Sequence, residues 1–149
     1  MSGVETRFYT TVHRNFKAKF HYEKNNNPYL CGTPDIWYSG AAADLWAEYK
    51  YLNKVPVRAD IHVNKMLSKR QLMWLDKRCV EGRNVAVILG TPEGHWVYRY
   101  GDWNKPLPVA KLRSTMTATV DISRYIEEFV MTGCPARSVV SHRLPPCQP

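Results

Sequence analysis

The sequence predicts a β-sheet with helices packed against it, in the α/β or α+β class. Three observations lead there. Helix-spaced and strand-spaced apolar segments alternate in the order helix, three strands, helix, strand, strand, helix. The connection between "PDIWYSG" and "DLWAEYKYL" is so short that the two strands should be antiparallel neighbours. "NVAVILG", by contrast, is nearly all apolar and follows a helix, as a fully buried strand parallel to its neighbour does.

Residues 2 to about 16 read as the first helix. Ser2 and Glu5 have the S-x-x-E spacing of a capping box, and Val4, Phe8, Val12 and Phe16 form one apolar stripe. "KAKFHYE", residues 17 to 23, alternates like a strand and "KNNNP" breaks it. The second and third strands follow, turning at Ser39-Gly40. "NKVPVRADIHVNKM" is ambiguous, and Pro56 weakens a central-strand reading of it. Ser68 opens a helix, "SKRQLMWLDKRCVEG", with Leu72, Leu75 and Cys79 at helical spacing and Gly82 as its C′ residue. "GHWVYRY" alternates as a last strand, entered through "TPEG". Residues 101 to 118 give no clear period. Asp121 to Thr132 form a final helix closed by Gly133, and the tail "HRLPPCQP" reads as irregular.

A chain of 149 residues without repeats or low-complexity tracts fits one domain with a real core. At 44% hydrophobic and 23% charged residues it is globular rather than disordered. Its formal net charge of +8 favours a polyanionic partner such as nucleic acid, although a soluble protein can also simply be basic. Cys31, Cys79, Cys134 and Cys147 include no C-x-x-C pair, and Cys134, His142 and Cys147 match no common zinc spacing, so reduced thiols are expected. His13, His21, His62, His95 and His142 show no ligand spacing either. "MSGVETRF" lacks the apolar region of a signal peptide, and no apolar run reaches the length of a membrane span. An intracellular protein away from membranes is expected.

Three charges stand out in "GTPDIWYSGAAADLWAEYKYL": Asp35, Glu48 and Lys50. Side chains alternate across a strand, so Glu48 and Lys50 share a face while Leu45, Ala47, Tyr49 and Tyr51 point to the other. In a meander, Asp35 on the neighbouring strand joins Glu48 on the open face of the sheet. Two desolvated carboxylates repel, and one lysine does not balance both. A hard divalent cation does, because it takes carboxylate oxygens as ligands and completes its shell with water and phosphate oxygens. Two acids and a lysine on a sheet therefore suggest metal-assisted phosphodiester chemistry. The same residues also fit a solvated Glu48–Lys50 pair on an exposed face, with Asp35 in a turn.

Pro34-Asp35 followed after twelve residues by Glu48-Tyr49-Lys50 resembles the core motif of the PD-(D/E)XK nuclease superfamily. With "LSKRQLMWLDKRCVEGRNVAVILG" added, roughly residues 1 to 100 look like its VRR-NUC (virus-type replication-repair nuclease) branch: G-x-P-D, then E-x-K, then a helix opening S-x-x-Q, then a glycine and an apolar strand. The resemblance implies an α/β restriction-endonuclease-like core in αβββαβ order, with residues from about 101 to 149 as a helical extension of a single nuclease domain. It implies Asp35, Glu48 and the Tyr49 carbonyl as metal ligands, Mg²⁺ as the ion with Mn²⁺ substituting, and Lys50 as the catalytic lysine. Glu5 falls where the superfamily often carries a glutamate that ligates the metal or orients water, but as the capping-box acid it has a purely structural reading too. Gln71 matches the family glutamine near the active site, and Ser68-x-x-Gln71 is likewise a capping box. The segment between Lys50 and Ser68 is longer than the connection expected after E-x-K.

Lys54, Arg58, Lys65, Lys69 and Arg70 flank the motif strand and the start of the second helix, and as a group they suit a phosphate backbone. Lys69 and Arg70 in a first helical turn oppose the helix dipole. Trp96, Tyr98 and Tyr100 form an aromatic face that suits core packing better than base stacking. The resemblance points to a metal-dependent endodeoxyribonuclease acting as a homodimer on branched or Holliday-junction DNA in replication, recombination or repair, of viral or bacterial kind. The alternative is a non-catalytic nucleic-acid-binding module on the same fold.

Overall fold

A computed structural model of the chain describes residues 1–134, and the tail with His142 and Cys147 lies outside the described residues. The elements are α1 (Gly3–Arg14), β1 (His21–Lys24), β2 (Ile36–Ser39), β3 (Asp44–Tyr51), α2 (Lys69–Val80), β4 (Val85–Gly90), β5 (Trp96–Tyr98), α3 (Val109–Thr115) and α4 (Thr119–Thr132). Short 3₁₀ turns occupy Val63–Met66 and Asp102–Asn104.

The five strands lie in sequence order across one sheet. β1, β2 and β3 form an antiparallel meander, β3 and β4 are parallel, and β4 and β5 are antiparallel. This is the mixed sheet of an α/β fold that the apolar "NVAVILG" run and the short β2–β3 connection predict. α2 is the crossover that a parallel β3–β4 pair requires. No helix among the described residues is long and apolar enough to cross a membrane.

The period-two alternation divides the sheet into two chemically different faces. On one face Ile36, Tyr38, Leu45, Ala47, Tyr49, Ala86 and Ile88 form a core with Phe8 and Val12 of α1 and with Ile122, Tyr125 and Phe129 of α4. On the other, Val85, Val87, Leu89, Trp96 and Tyr98 pack under Leu75 of α2 and Leu112 of α3. Gly40 lets α4 approach the β2–β3 turn, since a Cβ there would overlap the Val130 backbone.

Both expected capping boxes form. Ser2 and Glu5 bond reciprocally at the start of α1, as do Ser68 and Gln71 at the start of α2. Gly82, at φ 77°, follows the α2 C-cap.

The first strand is shorter than expected. The main-chain N–H groups of Lys17 and Ala18 donate to the Glu127 carboxylate of α4, so residues 17–20 anchor a helix instead of joining the sheet. The last strand stops at Tyr98, because Tyr100 takes a left-handed φ of 55° and Gly101 one of 82°. Trp96 and Tyr98 are core residues, while Tyr100 is half exposed. The aperiodic 101–118 stretch contains α3. The ambiguous 51–67 segment is an anchored connection: Ile61 and Leu107 exchange two 2.8 Å main-chain hydrogen bonds, and Val55, Ile61, Val63 and Leu67 are buried on the α2 face.

Candidate active site

The β2–β3 register brings the motif carboxylates together. Ile36 pairs with Ala47, so Asp35, one residue before β2, falls opposite Glu48. Asp35 Oδ2 accepts a 3.0 Å hydrogen bond from the Tyr49 N–H, and the Asp35 carbonyl accepts one of 2.7 Å from the Asn25 N–H. The loop before β2 is held on both sides by main chain. Gly32, at φ +90°, sits so close to the first turn of α2 that a Cβ would lie 2.6 Å from the Arg70 carbonyl oxygen. A side chain there would push the Asp35 loop away from the helix that carries Gln71.

Glu48 is only 1% exposed, so the open, solvated face expected for these charges is in fact covered by α2. Its Oε1 accepts 3.0 Å from Lys50 Nζ and 2.5 Å from Gln71 Nε2. Its Oε2 is buried without a hydrogen-bond partner. The Lys50 side chain is 14% exposed and reaches the same face as Glu48, two residues along the strand. A solvated surface pair is therefore excluded.

Burial drives the electrostatics of the two acids. It pushes the Glu48 carboxyl up to about 7, with the neighbouring Asp35 charge adding to the rise and Lys50 and the Asp35 main-chain N–H opposing it. Asp35 is also raised, again chiefly by burial and further by Glu5, against the pull of the Tyr49 N–H and of Lys50. One ammonium does not offset the cost of two ionised carboxylates at this depth.

Gln71 combines its two readings in one conformation. Its Oε1 accepts from the Ser68 N–H at 2.8 Å, as the capping box requires, and its Nε2 donates to Glu48. The amide orientation follows, since a main-chain N–H needs an acceptor and a carboxylate a donor. Glu5 is engaged by its cap: its Oε2 accepts 2.9 Å from the Ser2 N–H, and it acts on Asp35 through charge. The Tyr49 ring points to the opposite core, where its hydroxyl meets that of Tyr38 at 2.6 Å, so only the Tyr49 main chain is available to the site.

The donor set suits a hard divalent cation. Among the described residues no three or more His, Cys, Asp or Glu side chains group as a metal cage. Mg²⁺ does not need one, because it takes one or two carboxylates and fills its octahedron with water and phosphate oxygens. The buried Glu48 Oε2, which has no hydrogen-bond partner, and the raised Asp35 carboxyl nearby are a donor set of the kind such an ion takes.

Of the basic residues, Lys69 and Arg70 lie in the first turn of α2 beside Gln71, Lys65 in the 3₁₀ turn before it, and Lys54 and Arg58 in the connection after β3. All five are exposed, and none forms an ion pair with a carboxylate among the described residues. The histidines stand apart from the site. His13 Nε2 meets the Tyr38 hydroxyl at 2.7 Å, and His95 Nε2 meets Thr119 Oγ1 at 3.0 Å. Cys31 and Cys79 are free thiols, whereas Cys134 is disulfide-bonded, against the expectation of reduced thiols.

On β5, Trp96 and Tyr98 pack in the core, as expected of that aromatic face. The half-buried indoles are Trp37, Trp46 and Trp74. Trp37 and Trp46 are paired across β2 and β3 on the same face as Asp35, Glu48 and Lys50. The signal was available: Trp37 follows Asp35 by two residues and Trp46 precedes Glu48 by two, which fixes the shared face.

No known family and no curated protein matches the chain. Among solved structures it is similar to that of Archaeoglobus fulgidus Hjc, a Holliday junction resolvase from an archaeal hyperthermophile, at 16% identity and a TM-score of 0.46, over 75% of this chain and 97% of that one.

Proposed function

We propose that the chain is a divalent-metal-dependent endodeoxyribonuclease of the PD-(D/E)XK type, resembling its VRR-NUC branch, with residues 1–149 as one nuclease domain. The observation that carries this reading is the buried Asp35–Glu48 pair, set opposite in register, with Lys50 and Gln71 both on Glu48 Oε1 and nothing on Oε2. Asp35, Glu48 and the Tyr49 main chain would hold the ion, Mg²⁺ with Mn²⁺ as a substitute. When bound, it supplies Lewis-acid polarisation of a scissile phosphate.

The rest is the work of the chain's own groups. Lys50 sets a fixed positive charge beside the carboxylates, where negative charge grows on a phosphate under attack. Gln71 holds Glu48 in one rotamer and leaves its second oxygen available. Glu5 adds negative potential from α1. The α2 N-terminus, with Lys69, Arg70 and the nearby Lys54, Arg58 and Lys65, offers charge and free N–H groups to the DNA backbone.

The preferred substrate is branched DNA, including four-way junctions, and the working unit is a homodimer that presents two sites to two strands inside the cell. Both follow from the family resemblance. A non-catalytic DNA-binding module would leave the partnerless Glu48 oxygen without a purpose.

The test is a Mg²⁺-dependent cleavage panel on single-stranded, duplex, flapped and four-way DNA, run beside Lys50→Ala. The wild type should cut the branched substrates, and the variant should lose cutting with an unchanged melting profile. Full activity in Lys50→Ala would refute the assignment. Equal rates on four-way and linear DNA would remove the branched-DNA preference, and a monomer in sedimentation would remove the dimer.

A further inference from the structure

The sheet face that carries Asp35, Glu48 and Lys50 continues into a row of indoles. Trp37 and Trp46 are directly paired, their ring centroids 5.9 Å apart and their planes 22° from parallel. Trp74 of α2 stands 5.6 Å beyond Trp46. Trp46 lies two residues from Glu48 along β3, which is about 6–7 Å at strand rise. α2 covers β4 and the centre of the sheet but leaves the β1–β2 side of this face open, so Trp37 and Trp46 stay half exposed.

A cleft of about 260 Å³ opens on these two rings, lined by the Lys24–Asn27 loop, Leu30 and Thr33. Its polar rim includes the Asn25, Asn26 and Asn27 amides, Lys24 and the Glu23 carboxylate, which lies opposite Trp37 in the β1–β2 register and meets His21 Nε2 at 3.0 Å. The same loop is tied to the site, since the Asn25 N–H donates to the Asp35 carbonyl. Trp46 also walls a second, wider hollow of about 530 Å³ that carries Arg78, Arg83 and Asp44. Arg78 lies 5.8 Å over the Trp74 ring while pairing with Glu81. Arg83 is exposed.

Core packing accounts for only part of this arrangement, since Trp46 and Trp74 rest against the α2-face core and Trp37 does not. A stabilising indole is normally buried with its N–H satisfied, and here two stay open to a cleft rimmed by amide donors and acceptors. Flat aromatic faces beside arginines, following one another at strand spacing, are what a single nucleic-acid strand binds: bases stack on the rings and phosphates meet the guanidinium groups.

We propose that Trp37 and Trp46 form a stacking platform for an unpaired base on the strand held at Asp35, Glu48 and Lys50, with Arg78 and Arg83 receiving a phosphate further along. The substrate is then DNA with unpaired nucleotides next to the cleaved bond, such as a flap, a fork or an open branch point. This rests on the nuclease reading above and gives it a substrate class.

Binding, read without cleavage, separates the two claims. Anisotropy in EDTA would compare a forked DNA bearing a single-stranded arm with a fully paired duplex of equal length. Trp37→Ala should weaken fork binding about tenfold and leave duplex binding unchanged, the size expected for one lost stack. Trp37→Phe should recover most of the loss. An Ala variant that binds the fork like the wild type, or loses both DNAs equally, overturns the platform.

The unaltered protein gives a second readout that does not depend on the variant folding. A fork with 5-iododeoxyuridine in its unpaired arm should photo-crosslink to Trp37 or Trp46, and crosslinks only elsewhere overturn the proposal. If the wild type cuts no DNA while fork binding still depends on Trp37, the nuclease reading fails and the platform stands. If Trp37→Ala binds and cuts the fork normally, the platform fails and the nuclease stands.

Discussion

The two faces of the sheet are built from the same strands and do opposite things. On the α1–α4 face, adjacent polar groups satisfy one another: His13 Nε2, the Tyr38 hydroxyl and the Tyr49 hydroxyl form a short chain of hydrogen bonds inside an apolar core. On the α2 face, polar groups are left in conflict, with two raised carboxyls, one lysine and a carboxylate oxygen that bonds to nothing. Tyr49 and Lys50 are neighbours in sequence, and one belongs to each face. The contrast is not absolute, since the buried Arg99 Nε, whose guanidinium bonds Tyr125 and lies over Phe129, also has no partner.

The strongest way to break this contrast is to change one residue on each face. Asp35→Asn keeps an oxygen to accept the Tyr49 N–H and removes the charge, so it should lower metal-dependent cleavage by about 10²–10³-fold. Its melting temperature should stay close to that of the wild type. Leu45→Ala opens a cavity in the α1–α4 core, where Leu45 is 0% exposed, and should cost about 3 kcal/mol of stability in urea titration. The Ala variant's remaining folded fraction should cut normally. A large stability loss in Asp35→Asn would show that the two faces are not functionally separate.

Gln71 offers a finer cut, because it joins helix capping to the site. Gln71→Glu keeps the N3 acceptor that the Ser68 N–H needs but loses the donor to Glu48 and adds a third acid. α2 should remain intact while cleavage falls about tenfold or more, in line with one lost hydrogen bond to a charged group. Gln71→Ala removes both roles and should also cost about 1 kcal/mol of stability. Equal activity in Gln71→Glu and wild type would assign Gln71 to the cap alone.

Much of this contrast was legible from the chain. Strand alternation put Glu48 and Lys50 on one face and Leu45, Ala47 and Tyr49 on the other, and the short β2–β3 turn fixed the antiparallel pairing that sets Asp35 opposite Glu48. Burial of that face was not legible. It depends on α2 lying over β4, and on Val55, Ile61, Val63 and Leu67 folding back through the Ile61–Leu107 bridge, a contact 46 residues apart in sequence. The premature end of β5 was hidden as well, since Arg99 and Tyr100 continue the alternation and only the left-handed backbone at Tyr100 interrupts it. Local pattern records which face a residue takes; what covers that face is decided by distant segments.

The faintest effect, and the one that sharpens the comparison most, is in pH. Burial holds His13 and His95 near 4, whereas an unfolded histidine titrates near 6.5. His95 is fixed neutral, because its Nδ1 accepts from the Thr91 N–H and leaves Nε2–H to donate to Thr119. Below 6.5 the unfolded chain takes up the extra protons, so this contribution is complete above 6.5 and is lost as pH falls toward 4. Glu48 runs the other way. Its folded value of about 7 lies above the ordinary 4.5, so its contribution is complete below 4.5 and is lost as pH rises through 7. In EDTA the two slopes oppose each other between pH 4.5 and 6.5, two imidazoles against one carboxyl, so the wild-type melting temperature should fall as pH drops there, but less steeply than without Glu48. His13→Gln with His95→Gln should expose a steady fall as pH rises, and Glu48→Gln a steady fall as pH drops, each a matter of a few degrees. Parallel pH profiles for the wild type and both variants would mean that the imidazoles and Glu48 do not carry the opposed titrations of the two faces.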